Sequence, residues 1–132
     1  MKMNVTAGYA LMAAGYLAEH ADEGPITAAR ISEKYGIPLD YLIRIMQQMA
    51  KFNVLKSKRG PRGGFALGRP AKDISLLEII EAADGPIAHI GDLTELTVNT
   101  PLTNNLEKVC RQASDKAVAV FKKASLGQTV GK

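Results

Sequence analysis

The residues with the clearest chemistry lie between Lys51 and Lys72. This stretch holds Lys51, Lys56, Lys58, Arg59, Arg62, Arg69 and Lys72 and no Asp or Glu. Outside it ten basic residues face thirteen acidic ones, so a net charge of +4 is a mildly acidic body carrying one basic stripe. Cations gathered without balancing acids repel one another, an arrangement suited to a polyanionic partner that relieves the repulsion. Catalytic chemistry is poorly supplied. With His20, His89 and a single cysteine, Cys110, spacing gives no Ser-His-Asp or Cys-His arrangement, and an enzyme is not expected. One cysteine also excludes a disulfide framework and the C-x-x-C pairs of zinc and redox sites, which makes a reducing cytoplasm the default compartment. His20, His89, Asp92 and Glu95 form a poor mixed ligand set, so neither metal nor cofactor is expected. Gly60-Pro61-Arg62-Gly63-Gly64 lacks the Gly-Lys-Ser/Thr ending of a nucleotide-binding loop.

These residues need elements to carry them. Ala7, Ala10, Leu11, Ala14, Leu17 and Ala18 recur at helical spacing, predicting a first helix over Val5 to Glu19. Its apolar run, Ala10 to Ala18, is too short to cross a bilayer, and it reads as a helix rather than a secretory leader. Thr27 caps a short second helix, Ala28 to Tyr35, and Gly36 stops it. Pro38 suits the first turn of a third helix, Leu39 to Asn53, with Leu42, Ile45, Met46, Met49 and Phe52 as its buried stripe. The Gly36-Ile37 turn makes these two helices a helix-turn-helix pattern. Val54 to Arg59 and Phe65 to Leu67 alternate on either side of Gly60 to Gly64, which predicts a β-hairpin with a basic first strand and tip. A hairpin in that place is a wing. Ser75-x-x-Glu78 is a capping box opening a fourth helix, Leu76 to Ala83, with Leu77, Ile80 and Ala83 apolar.

Ile87 to Asn99 has no sustained period and is expected to be loop. Thr100-Pro101 then opens a last long helix reaching Leu126, with Gly127 as its stop. Its stripe of Leu106, Val109, Cys110, Ala113, Ala117, Val120, Phe121 and Ala124 is longer than so small a domain covers, so it is expected to meet a second copy. The expected fold is mainly α with a small hairpin wing. It divides into a winged helix-turn-helix domain over 1–85, a connecting region over 86–102, a dimerisation helix over 103–127 and a frayed tail over 128–132.

Ile31 to Ile37, Tyr41-Leu42, the Arg59-Gly60-Pro61-Arg62-Gly63-Gly64 turn with Phe65 to Pro70, and Ile74 to Gly85 closely resemble the Rrf2 family of bacterial winged-helix regulators, the group of IscR, NsrR and CymR. Met1-Lys2-Met3 and Tyr9-Ala10-Leu11 match it too. The motifs cover the first two thirds of the chain and the general layout covers the rest. The resemblance implies a homodimer on a partly palindromic double-stranded DNA operator, with the third helix in the major groove, the wing near the minor groove and the last helix crossing to the partner. Many members hold an iron-sulfur cluster on three cysteines; here 86–107 contains none, and the ligand positions fall on Asp92, Val98 and Asn104. A cluster-free repressor is therefore expected.

The candidate DNA contacts are Thr27, Pro38, Leu39, Asp40, Tyr41, Ile43, Arg44, Gln47, Lys56, Lys58, Arg59 and Arg62. Arg59, where strand meets turn, is placed to enter a narrow minor groove, while Lys56, Lys58 and Arg62 suit phosphates. Asp40 either supports the helix N-terminus or accepts from cytosine. Arg44 suits guanine or phosphate, Ile43 a thymine methyl, Gln47 the backbone, and Tyr41 core packing with its hydroxyl on a phosphate. Cys110 reads first as a small buried hydrophobe, with a thiol switch as the alternative because Lys108 and Arg111 adjoin it. A winged helix that binds another polypeptide is a further alternative. A small-molecule or protein effector is the remaining expected partner.

Overall fold

The computed structural model describes residues 3–87 and 93–130; His89 and Asp92 fall outside them. Among the described residues seven α-helices and a two-stranded hairpin follow one another as α1 (Val5–Glu19), α2 (Ala28–Tyr35), α3 (Leu39–Lys51), β1 (Leu55–Lys58), β2 (Gly64–Leu67), α4 (Leu76–Asp84), α5 (Leu93–Leu96), α6 (Pro101–Lys123) and α7 (Leu126–Thr129). The expected class holds: mainly helical with one hairpin.

Local chemistry sets most boundaries. Thr27 accepts from the Arg30 N–H to start α2, and Gly36 ends it in the left-handed region at φ 67°. Ser75 and Glu78 complete the capping box of α4 as the spacing predicts. The core is built on Ala10, Ala13, Ala14 and Leu17 of α1, Ile31 of α2, Leu42, Ile45, Met46 and Met49 of α3, and Leu55, Ile74 and Ile79. Small residues on α1 let α3 and α4 approach it closely. At the corner of α1 and α2, Arg30 donates to the Tyr16 hydroxyl at 2.8 Å and to Glu23 at 2.8 Å. The Arg30 hydrogen bond holds the Glu23 carboxyl below its usual range.

The hairpin is antiparallel, with Leu55 opposite Leu67 and Lys58 opposite Gly64. It is also tied to the loop before α2. The Ile26 N–H donates to the Phe65 carbonyl at 2.8 Å, and the Phe65 N–H returns the bond at 2.7 Å. Gly64 permits this approach, because a Cβ there would lie 2.5 Å from the Ile26 carbonyl oxygen, and its φ is +147°.

Several expectations are corrected. Helix α3 ends at Lys51, and Phe52 is 55% exposed rather than part of the buried stripe. Asn53 at φ 65° turns the chain into the strand and leaves Phe52 outside. Of the apolar residues named on α4, Ile80 is buried and Leu77 and Ala83 are half-buried, alongside buried Ile79 and Ala82. Part of the expected loop is the helical turn α5.

The largest departure is at the end of the chain. Helix α6 stops at Lys123, not Leu126, and Ala124 is extended. Ser125 then forms a β-bridge with Ser75, the Leu126 N–H donates to the Ile74 carbonyl at 2.7 Å, and the Leu126 side chain is buried in the core. Gly127 lies inside α7 instead of terminating a helix, and a Cβ there would meet the Lys72 backbone at 3.0 Å. Gln128 and Thr129 therefore belong to a capped turn rather than to a frayed tail.

Candidate nucleic-acid interface

Helix α3 presents three strips to its surroundings. Leu42, Ile45, Met46 and Met49 face the core, Asp40, Arg44, Gln47 and Lys51 face outward, and Leu39, Ile43 and Ala50 run along the side toward the wing. Between that side and the hairpin lies a groove of about 810 Å³, lined by Thr27, Leu39, Ile43, Gln47, Lys51, Lys58 and Arg59 among others. Its floor is apolar, from Ala28, Ala29, Ile43, Ala50 and Phe65, and its rim carries cations.

Six of the twelve sequence candidates line this groove: Thr27, Leu39, Ile43, Gln47, Lys58 and Arg59. Pro38 and Asp40 are exposed at the start of α3, Arg44 is exposed one turn on, and Arg62 is exposed at the wing tip. Two candidates stand elsewhere. Lys56 shares the outer face of the hairpin with Ala66 and lines a separate recess of about 330 Å³ with Leu17, Ala21, Gly24, Arg69 and Pro70. Tyr41 is half-buried against Tyr9, with ring centroids 5.7 Å apart, and its hydroxyl is hydrogen-bonded to that of Thr6. That bond ties α3 to α1: the ring packs within the fold as expected, and the hydroxyl has a partner on α1.

Lys51 belongs to the site although it is absent from the sequence candidates; its place in the basic stripe was the available signal. Arg69 belongs to the stripe but is engaged within the protein, donating to the Glu78 carboxylate and to the Asp73 carbonyl. Lys51, Lys58, Arg59 and Arg62 have no ion-pair partner among the described residues. Three of these cations, Lys51, Lys58 and Arg59, border the groove, and with Arg62 at the wing tip beside it they set a positive field there.

Helix α6 exposes its own apolar strip, with Leu102 at 66%, Leu106 at 45%, Val109 at 63% and Val120 at 66% of full accessibility. Cys110 is half-buried beside it, and Ser114 is the one buried residue of that helix. The donor set does not fit an iron-sulfur cluster. Val98 carries no donor atom, Asn104 and Val98 are exposed, and no group of three metal-binding side chains occurs among the described residues. No described helix is long and apolar enough to cross a membrane.

A helix pair joined by a tight turn, followed by a hairpin with a cationic rim, defines a winged helix-turn-helix protein. A sequence profile described as "Rrf2: Iron-dependent Transcriptional regulator" matches residues 3–132. The chain belongs to the Rrf2 family of winged-helix transcriptional regulators. It is 39% identical over 84 residues to the HTH-type transcriptional regulator IscR of Photorhabdus laumondii, covering 64% of this chain and 51% of that one. The chain thus spans about half the length of the IscR relatives it matches. It is 29% identical over 133 residues to a Mycobacterium tuberculosis protein named as an HTH-type regulator, covering 82% of it. Among solved structures, IscR of T. potens superposes with a TM-score of 0.75 at 25% identity, covering 96% of this chain and 84% of that one. CymR, the global cysteine regulator of B. subtilis, gives a TM-score of 0.80 at 24% identity over 96% of this chain and 94% of that one, a likeness of fold.

Proposed function

We propose that this chain is a cytoplasmic, sequence-specific double-stranded DNA-binding regulator, a homodimeric repressor without a cluster rather than an enzyme. The observation that carries the reading is the groove between α3 and the wing, whose cationic rim of Lys51, Lys58 and Arg59 is unpaired within the chain among the described residues. The outward strip of α3 enters the major groove, with Arg44 and Gln47 toward bases or backbone. Arg59 enters the adjoining minor groove, and Lys51, Lys58 and Arg62 hold phosphates. Thr27 and Pro38 bring backbone and small side chains to the same surface. Lys56, in the separate recess beside Leu17 and Ala21, is left for a phosphate outside the groove.

The exposed strip of α6 supports two-fold pairing, because four large apolar side chains in water on one helix favour burial against a second copy. In this reading the DNA-binding unit covers residues 1–85 together with α7, and α6 supplies the dimer contact. Two measurements test it. A randomised duplex pool passed over the protein at physiological salt should yield an enriched, two-fold symmetric motif, and sedimentation should give twice the chain mass. Retention of no sequence above background refutes the reading and favours a winged helix that binds protein.

A further inference from the structure

The wing-side strip of α3 has a composition that phosphate binding does not explain. Leu39 is 40% exposed at the start of the helix, Ile43 follows one turn later, half-buried, and both line the groove whose rim is cationic. Apolar side chains facing water cost free energy in proportion to the area exposed, and on a surface that meets a polyanion they gain nothing from phosphates. One apolar group is displayed in the major groove of duplex DNA: the C5-methyl of thymine.

Placement favours that occupant. The methyl stands at the margin of the major groove, beside its own strand, so the flank of an inserted helix meets it while the outward strip meets the central donors and acceptors. Leu39 and Ile43 occupy that flank, between the outward strip and the wing cations Lys58, which would grip the neighbouring backbone, and Arg59, which would enter the minor groove beyond it. Four helical residues rise about 6 Å. This spans one to two base steps of about 3.4 Å.

Resting on the DNA-binding reading, we propose that Leu39 and Ile43 form a thymine-methyl reader, so that each half-site carries two thymines within about two base steps, on the strand next to the wing. The pair is a specificity determinant, distinct from the cations that supply affinity.

The test uses two randomised duplex pools that differ only in carrying thymine or uracil, which lacks the methyl. From the thymine pool the wild-type protein should enrich thymine at two closely spaced positions per half-site. From the uracil pool the preference at those positions should fall about fourfold per methyl, with preferences elsewhere in the site retained. The Leu39→Ala, Ile43→Ala double variant, confirmed folded by circular dichroism, should show the same flattening with the thymine pool. Identical motifs from both pools, or a thymine-pool motif without that pair, overturn the methyl reader while leaving DNA binding intact. Enrichment of nothing from either pool overturns the DNA-binding reading itself.

Discussion

Replacing Arg59 with alanine removes one cation per protomer from the groove rim, and the consequence is best read as a salt slope. Lys51, Lys58, Arg59 and Arg62 are exposed and have no ion-pair partner among the described residues. If three or four of them reach phosphates, a two-fold pair neutralises about six to eight phosphates, and each contributes about 0.9 to the slope of log affinity against log salt. Affinity of the wild type should then fall roughly 10³- to 10⁴-fold between 50 and 200 mM salt. Arg59→Ala removes a minor-groove cation that neutralises about one phosphate charge at each half-site, and the slope should become shallower by about 1.8 for the dimer. Lys72→Ala is the control. It removes the same charge from a residue that lies under Gly127, outside the groove, and should leave the slope unchanged. Fluorescence anisotropy of a labelled duplex recovered from the random pool, titrated at five salt concentrations, measures all three proteins. A slope that Arg59→Ala leaves intact, or that Lys72→Ala lowers equally, would show that placement in the groove is not what binds phosphate.

Three further outcomes follow from other parts of the fold. Leu126→Ala opens a hole in the core beneath α7 and should destabilise the protein by about 2–5 kcal/mol, read as a lower urea midpoint; a change near zero would mean that the last turn does not dock in solution. Val109→Glu places a charge in the exposed apolar strip of α6 and should convert a dimer into a monomer in sedimentation velocity without shifting the circular dichroism spectrum. A dimer that survives the change must be joined elsewhere. Burial raises the Glu78 carboxyl, but hydrogen bonds from the Ser75 N–H and Arg69 outweigh it and hold the group below its ordinary value. A depressed native value stabilises the fold above the unfolded value, and that stability is lost as acid protonates the group. Wild type should therefore exceed Glu78→Gln in stability at pH 7, and the gap should close on descent through the carboxylate range; a gap constant with pH contradicts the assignment.

What could be read from the chain was whatever local chemistry fixes. Thr27 and Gly36 bracket α2, Ser75 with Glu78 opens α4, and the Gly-rich turn makes the wing. The misreadings share a non-local cause. Nothing near Lys123 breaks a helix; α6 ends there because Ser125 pairs with Ser75, fifty residues earlier, and Leu126 finds space in a core assembled by α1 and α4. A local hint did exist in Ser125-x-x-Gln128, a capping box that outranks Gly127 as the meaningful signal. The candidate site divides in the same way. Alternation placed Lys58 and Arg59 on the wing, but only the packed structure puts Lys56 over Leu17 and Ala21, and only it joins Tyr41 to Thr6 across thirty-five residues.

The reciprocal pair of hydrogen bonds between Ile26 and Phe65 has a consequence for how such proteins diverge. The loop that leads into α2 also clamps the hairpin, so the helix-turn-helix and its wing are mounted on one bracket, and Gly64 is the pin that lets the bracket close. The span from one to the other then works as a ruler of set length rather than an adjustable caliper. If Leu39 and Ile43 read the target as proposed, new preferences are reached more readily by exchanging such side chains than by tilting the wing.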